Sequence, residues 1–105
     1  MLTRIEWGDE AVEDLERLHA FLDPKNPDAA RRAAQTIIKA TELLADNPQI
    51  GTVVEDMIED GQYRDLPIPF GSYGYVLRFR YERDTIYILH IKHGKEESFR
   101  KLPRA

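Results

Sequence analysis

The chain has 105 residues, 42% of them hydrophobic and 32% charged, the composition of an ordinary soluble globular protein and of a length expected for one domain over residues 1–105. It contains no cysteine, which excludes disulfides, thiolate metal sites and cysteine nucleophiles. The net charge of −4 is unevenly spread: residues 1–60 carry 6 basic against 14 acidic side chains, and residues 61–105 carry 9 against 5. The second half is therefore the positive end, although a surplus of this size is small beside those of typical nucleic-acid binders.

The first residues, MLTRIEWGDE, lack the apolar core of a signal peptide, and no run approaches transmembrane length, so a cytoplasmic protein with no membrane partner is expected. Leu2 to Trp7 roughly alternates and reads as a short strand. Gly8-Asp9 breaks it, with Asp9 as the expected N-cap of a helix. Val12, Leu15, Leu18 and Leu22 then recur at helical spacing, widened by Ala11 and Phe21, while Glu10, Glu13, Asp14, Glu16 and Arg17 are assigned to the wet side. His19 lies beside the apolar stripe and reads as a structural histidine.

Asp23-Pro24-Lys25 ends this helix, and Asn26-Pro27-Asp28 opens the next with a capping side chain, a proline at the first helical position and a carboxylate facing the dipole. Ala30, Ala33, Ala34, Ile37, Thr41 and Leu44 share one face, and Asn47-Pro48 closes the helix. The short connection predicts an antiparallel helical hairpin. Thr52 to Glu55 reads as a short edge strand. The acidic stretch Glu55–Asp60 has neither the spacing nor the glycine of a calcium loop, so a solvated loop is expected and no metal or cofactor is assigned.

Tyr63–Ile68 reads as a strand whose Pro67 needs a position free of ladder donation. A connection containing Gly71 and Gly74 leads into Tyr75–Tyr81, and a polar turn at Glu82-Arg83-Asp84 leads into Thr85–His93. Tyr75, Leu77, Phe79 and Tyr81 form one face, with Leu77 and Phe79 under the helices. Val76, Arg78 and Arg80 form the other, which continues into His90 and Lys92. His90 and His93 fall on opposite faces by alternation. The resulting fold is α+β, a helical hairpin on one face of a mostly antiparallel sheet.

The ordered signals resemble toxins of the RelE/ParE superfamily from bacterial type II toxin–antitoxin pairs. They are Trp7 with Ala11 and Leu15; Asn26-Pro27 with Ala29-Ala30; Leu43-Leu44 and Asn47-Pro48-x-x-Gly51; Tyr63-Arg64-x-Leu66; Gly74-Tyr75 with Phe79-Arg80-Tyr81; and Ile86-Tyr87-Ile88-Leu89-x-Ile91-x-His93. The likeness spans roughly residues 5–95. It implies a β-α-α-β-β-β-β order in which the first strand lies beside the last, far from the Thr52–Glu55 strand. It also implies a cognate antitoxin, a hetero-oligomer with it, and a contact along the hairpin or at a sheet edge. Leu15, Leu18, Phe21 and Ile38 are the candidate antitoxin contacts.

Two branches of this superfamily imply two activities. A ribosome-dependent mRNA endonuclease needs a general base, a general acid and cations on the scissile phosphate, for which Arg64, Arg78, Arg80, His93 and Lys95 are the candidates. Against it stand Gly71-Ser72-Tyr73 where that branch often carries a cation, Phe99 where it tends to carry a tyrosine, the acidic Glu55–Asp60 stretch, and a net charge ill suited to ribosomal RNA. The branch resembling ParE blocks DNA gyrase and needs only a presented surface. Lys92, His93, Lys95, Arg100 and Lys101 are its candidates. The 62–75 run (Gln62, then Leu66-Pro67-Ile68-Pro69-Phe70-Gly71, then Gly74-Tyr75) and His93-Gly94 also look more like this side, which is the expected one. Ribonuclease activity and a degenerate, non-toxic binding member are the alternatives.

Overall fold

The computed structural model describes residues 3–54 and 63–99. The acidic stretch Glu55–Asp60 and the tail residues Arg100 and Lys101 lie outside the described residues. The elements run β1 (Arg4–Trp7), α1 (Asp9–Leu22), α2 (Pro27–Asp46), β2 (Thr52–Val53), β3 (Tyr63–Ile68), β4 (Tyr75–Glu82) and β5 (Thr85–His93). One five-stranded sheet has the order β1-β5-β4-β3-β2. The β2/β3, β3/β4 and β4/β5 pairs are antiparallel, whereas β1 runs parallel to β5. The first strand thus lies beside the last, as the family likeness implies.

The start of α1 differs from expectation. Its N-cap is Gly8, not Asp9, and no side chain caps it. Gly8 instead donates its N–H to the Ile88 carbonyl at 2.9 Å and accepts from Val12 N–H at 3.1 Å, which ties the helix start to β5. Asp9 and Glu10 occupy the first turn, where their charge complements the dipole. The second helix opens as its sequence predicts. The Asn26 side chain accepts from Ala29 N–H at 3.1 Å, Pro27 follows, and Asp28 bonds Arg31 and Arg32. Those two bonds, Arg31's first, hold the Asp28 carboxyl below its ordinary 3.8.

The helices cover one face of the sheet. Ala11, Leu18, Ala33, Ile37 and Leu44 pack with Leu77, Phe79, Ile86, Ile88 and Ile91 in the core. Burying each large side chain of this kind contributes about 1.5–3 kcal/mol relative to exposure. Small residues at Ala30 and Ala33 let α2 approach closely. Two members of the predicted α1 stripe lie outside this core: Val12 is exposed and Phe21 is 65% exposed, both at the flanks of the Ala11, Leu18 and Leu22 stripe. Asp14, assigned to the wet side, is buried.

The predicted β-edge strand from Thr52 shrinks to Thr52–Val53, paired with Asp65 and Arg64. Pro67 therefore falls beyond that pairing, where β4 alone flanks β3. The β4–β5 connection is tighter than expected: Glu82 belongs to β4, and Arg83 and Asp84 form a two-residue turn with φ of 50° and 64°. That mirror-image geometry follows the twist of the flanking strands. In β5, Phe79 pairs with Ile88 but Arg78 pairs with His90, so Leu89 is an extra, bulged residue.

Candidate functional site

Beyond Ile88, β5 keeps β4 on one side but loses its neighbour on the other, because β1 ends at Trp7 opposite that residue. The Ile91 backbone would there be an open sheet edge. Helix α1 supplies the missing partners from side chains: Asp14 Oδ2 accepts from Ile91 N–H at 2.9 Å, and an Arg17 guanidinium nitrogen lies 3.5 Å from the Ile91 carbonyl oxygen. Arg17 also contacts Asp14 at 3.4 Å and Glu96 at 3.2 Å. Glu96 in turn accepts from His93 N–H at 2.9 Å through its carboxylate and from Lys92 Nζ at 2.9 Å through its carbonyl. The exit of β5 is therefore pinned to α1 by a polar chain, Asp14–Arg17–Glu96–His93.

His93 stands opposite Tyr75 on the helix-covered face, edge-on to its ring at 5.6 Å, with Tyr73 at 5.7 Å on another side. Lys95 N–H donates to His93 Nδ1 at 3.1 Å, which leaves the proton of the neutral ring on Nε2. Burial holds the Tyr75 phenol above its ordinary 10.0. The folded chain thus keeps this proton where the unfolded chain has lost it. This contribution is complete below pH 10 and declines as pH rises from there through the folded-state value. Urea unfolding between pH 8 and 11 is expected to show a loss of stability above pH 10 that is smaller in Tyr75→Phe, with little difference between the two proteins at pH 8.

The opposite face of the sheet carries the two β4 arginines, each already engaged. Arg78 makes a bidentate pair with Asp65 at 2.8 and 3.0 Å, and its guanidinium lies 4.5 Å from the Phe99 ring. Arg80 pairs with Glu82 and lies 4.5 Å from the Tyr87 ring. His90 also faces this side, with Phe99 at 5.9 Å, Asp14 at 3.7 Å and Glu10 at 4.0 Å.

Of the five ribonuclease candidates, His93 and Lys95 are neighbours at the β5 exit, and the three arginines do not join them. Arg78 and Arg80 occupy the outer face, while Arg64 and His93 pair with the core-facing Phe79 and Tyr75. Arg64 is further occupied by the Gln49 carbonyl at 2.8 Å. The four-residue offset between Phe79 and Tyr75 puts Arg64 and His93 about 13 Å apart along the strand direction. The bulge at Leu89 precedes both His90 and His93 and leaves them on opposite faces. At position 71 the chain turns with φ of 57°, a conformation that favours glycine over the cationic residue of the ribonuclease branch. Among the described residues no group of three or more His, Asp or Glu side chains could hold a metal ion.

Three of the target-binding candidates, Lys92, His93 and Lys95, cluster at the β5 exit. Of the antitoxin-contact candidates, Leu15 is half-buried, Leu18 is buried, and Phe21 and Ile38 are exposed. Leu18 and Phe21 line a groove of about 620 Å³ together with Phe70, Tyr73, His93 and Lys95. Asp14, Arg17, Glu96 and Tyr73 are site residues that the sequence alone does not single out. For Asp14 the signal is present: it lies three residues after Ala11 and four before Leu18, in phase with the buried stripe.

A helical hairpin over one face of a β1-β5-β4-β3-β2 sheet is the architecture that the RelE/ParE likeness implies. The family description "ParE toxin of type II toxin-antitoxin system, parDE" matches residues 5–98, and the chain belongs to that family. It is 34% identical over 92 residues to Toxin RelE3 of Caulobacter vibrioides, covering 88% of this chain and 95% of that protein. Toxin RelE1 of the same organism is 31% identical over 87 residues, covering 83% and 88% respectively. The fold is similar to that of a chain in the chromosomal ParDE toxin–antitoxin system from P. aeruginosa, with a TM-score of 0.71, 22% identity, and coverage of 89% of this chain and 97% of that one. The family description carries one branch's name and both relatives carry the other's. No helix among the described residues is long and apolar enough to cross a membrane.

Proposed function

We propose that this type II toxin acts in the cytoplasm as a non-enzymatic inhibitor of DNA gyrase, held in check by its cognate antitoxin. The observation that carries this reading is the division of the cationic side chains between two faces. Phosphodiester cleavage needs an acid, a base and phosphate-binding cations converging on one atom. Here Arg78 and Arg80 are neutralised on the outer face, and His93 and Arg64 lie on the other, far apart. A surface that only binds needs no such convergence. The β5 exit offers His93, Lys92 and Lys95 on a strand end fixed by Glu96.

The RelE names of both relatives favour the competing reading, mRNA cleavage on the ribosome. Purified toxin added to gyrase and relaxed plasmid separates the two. Supercoiling is expected to fall with toxin concentration, and a His93→Ala/Lys95→Ala variant is expected to need at least tenfold more protein for the same effect. Full supercoiling at saturating toxin, together with cleavage of mRNA in a translating extract, would establish the ribonuclease reading instead.

A further inference from the structure

The sheet order leaves two outer strands, and β2 contributes only Thr52–Val53 among the described residues. At the opposite edge, β1 runs from Arg4 to Trp7 with neither a proline nor a bulge to spoil pairing on its free side. Its backbone has a defined phase. Arg4 N–H donates to the Asp84 carbonyl at 2.8 Å, and Gly8 N–H donates to the Ile88 carbonyl at 2.9 Å. In an evenly spaced parallel ladder the even-numbered residues therefore turn their N–H and C=O groups to β5. Thr3, Ile5 and Trp7 turn theirs the other way, to the free edge. The side chains alternate as well: Ile5 and Trp7 pack against the core, while Arg4 and Glu6 are exposed. Neither of these two charges has an ion-pair partner among the described residues.

A second copy of the chain fits this edge in one antiparallel register. With Ile5 facing its own counterpart across a two-fold axis, the two residues exchange both N–H···O bonds, and Thr3 does the same with Trp7 of the second copy. Arg4 then stands opposite Glu6 of the second copy, and Glu6 opposite Arg4 of the second copy. These are the non-hydrogen-bonded positions, where facing side chains come closest. Moving the axis to position 4 or 6 keeps the hydrogen-bonding phase but sets arginine against arginine or glutamate against glutamate. The order Arg4-Ile5-Glu6 thus favours the central register and opposes its neighbours. We propose that the toxin forms a symmetric dimer through β1, antiparallel about Ile5, which joins two five-stranded sheets into one. Because β5 runs parallel to β1, the two His93-bearing exits lie at opposite ends of the joined sheet, away from the axis. Pairing of so few residues buries little area, so the dimer is weak and concentration-dependent. Association through this edge is independent of the toxin's target.

Sedimentation velocity of the purified, full-length toxin between about 5 and 500 μM is expected to show monomer passing into dimer. Arg4→Glu alone and Glu6→Arg alone each set like charges opposite one another, and each is expected to weaken association at least tenfold. The double reversal Arg4→Glu/Glu6→Arg restores the opposition and is expected to return association to within threefold of wild type. Both side chains are exposed, so the fold tolerates all three changes. Wild-type toxin supplies a readout that needs no variant. Its Ile5 and Trp7 amides are expected to exchange with solvent quickly at low concentration and slowly at high concentration, while the Glu6 amide, turned to β5, is protected at both. A monomer across the whole range, a dimer indifferent to either single reversal, a double reversal no better than the single ones, or Ile5 and Trp7 exchange that ignores concentration would each overturn the proposal. Protection of those two amides only on adding the product of the reading frame next to the toxin gene would do so as well, by giving the edge to the antitoxin.

Discussion

Replacing Asp14 with alanine is expected to destabilise the folded protein by about 2–4 kcal/mol, more than most single changes on a charged helix face. The carboxylate is buried and accepts the Ile91 N–H at 2.9 Å, where no strand is available to do so. Without it, that N–H is an orphan inside the protein, which by itself costs about 1–3 kcal/mol. Arg17 also loses a carboxylate partner while remaining partly enclosed. Asp14→Asn keeps an oxygen acceptor for Ile91 but gives up the charge, so its cost should be about half as large or less. Urea unfolding of the two variants checks the order. Equal stability of Asp14→Ala and wild type would show that solvent reaches the Ile91 edge.

Gly94→Ala is the second substitution with a large expected effect. A Cβ at this position would run into the Tyr73 carbonyl oxygen, and the Tyr73 backbone carbon lies only 2.9 Å away. The backbone cannot retreat freely, because Gly94 N–H donates to the Gly74 carbonyl at 2.9 Å and the preceding residue is held by Glu96. Relief must come from moving the β3–β4 connection and Tyr73 with it. A cost of about 2 kcal/mol is expected for forced overpacking of this kind, which for a domain of this size lowers Tm by roughly 8–16 °C. Gly71→Ala provides the contrast, since nothing lies within 4 Å of its added carbon and only the positive φ opposes it. Its cost should be about 1–2 kcal/mol, with His93 and Tyr73 ring resonances unshifted. In Gly94→Ala those resonances should move.

Most of the architecture is legible in local chemistry. Asn26-Pro27-Asp28 specifies the start of α2 because all three act on groups within one helical turn. The alternation of Tyr75, Leu77 and Phe79 against Val76, Arg78 and Arg80 specifies both faces of β4 without reference to the rest of the chain. The bidentate Arg78–Asp65 pair follows from the same alternation once β3 and β4 are neighbours. Asp14 is different. A carboxylate on a charged helix is ordinarily wet, and its burial makes sense only because β1 stops at Trp7 and leaves the outer edge of Ile91, seventy-seven residues away, without a strand on that side. Phe21 differs for a simpler reason: at about 100° per residue it falls at the margin of the stripe centred on Ala11, Leu18 and Leu22, and it is exposed while Leu22, one residue on, still packs on the core. The groove that Phe21 helps to form depends on three distant segments and has no local signature.

The bulged Leu89 divides β5 into two reading frames. Ahead of it the even-numbered residues Ile86 and Ile88 point to the helices; behind it the odd-numbered Ile91 and His93 do so, and His90 and Lys92 are turned outward. A strand of unbroken parity would send His90 and Lys92 into the hydrocarbon interior and strand Ile91 in solvent. The single inserted residue acts as a phase shifter. It lets both halves of the strand bury isoleucines under the helices while the terminal half turns His90 and Lys92 to the outer surface.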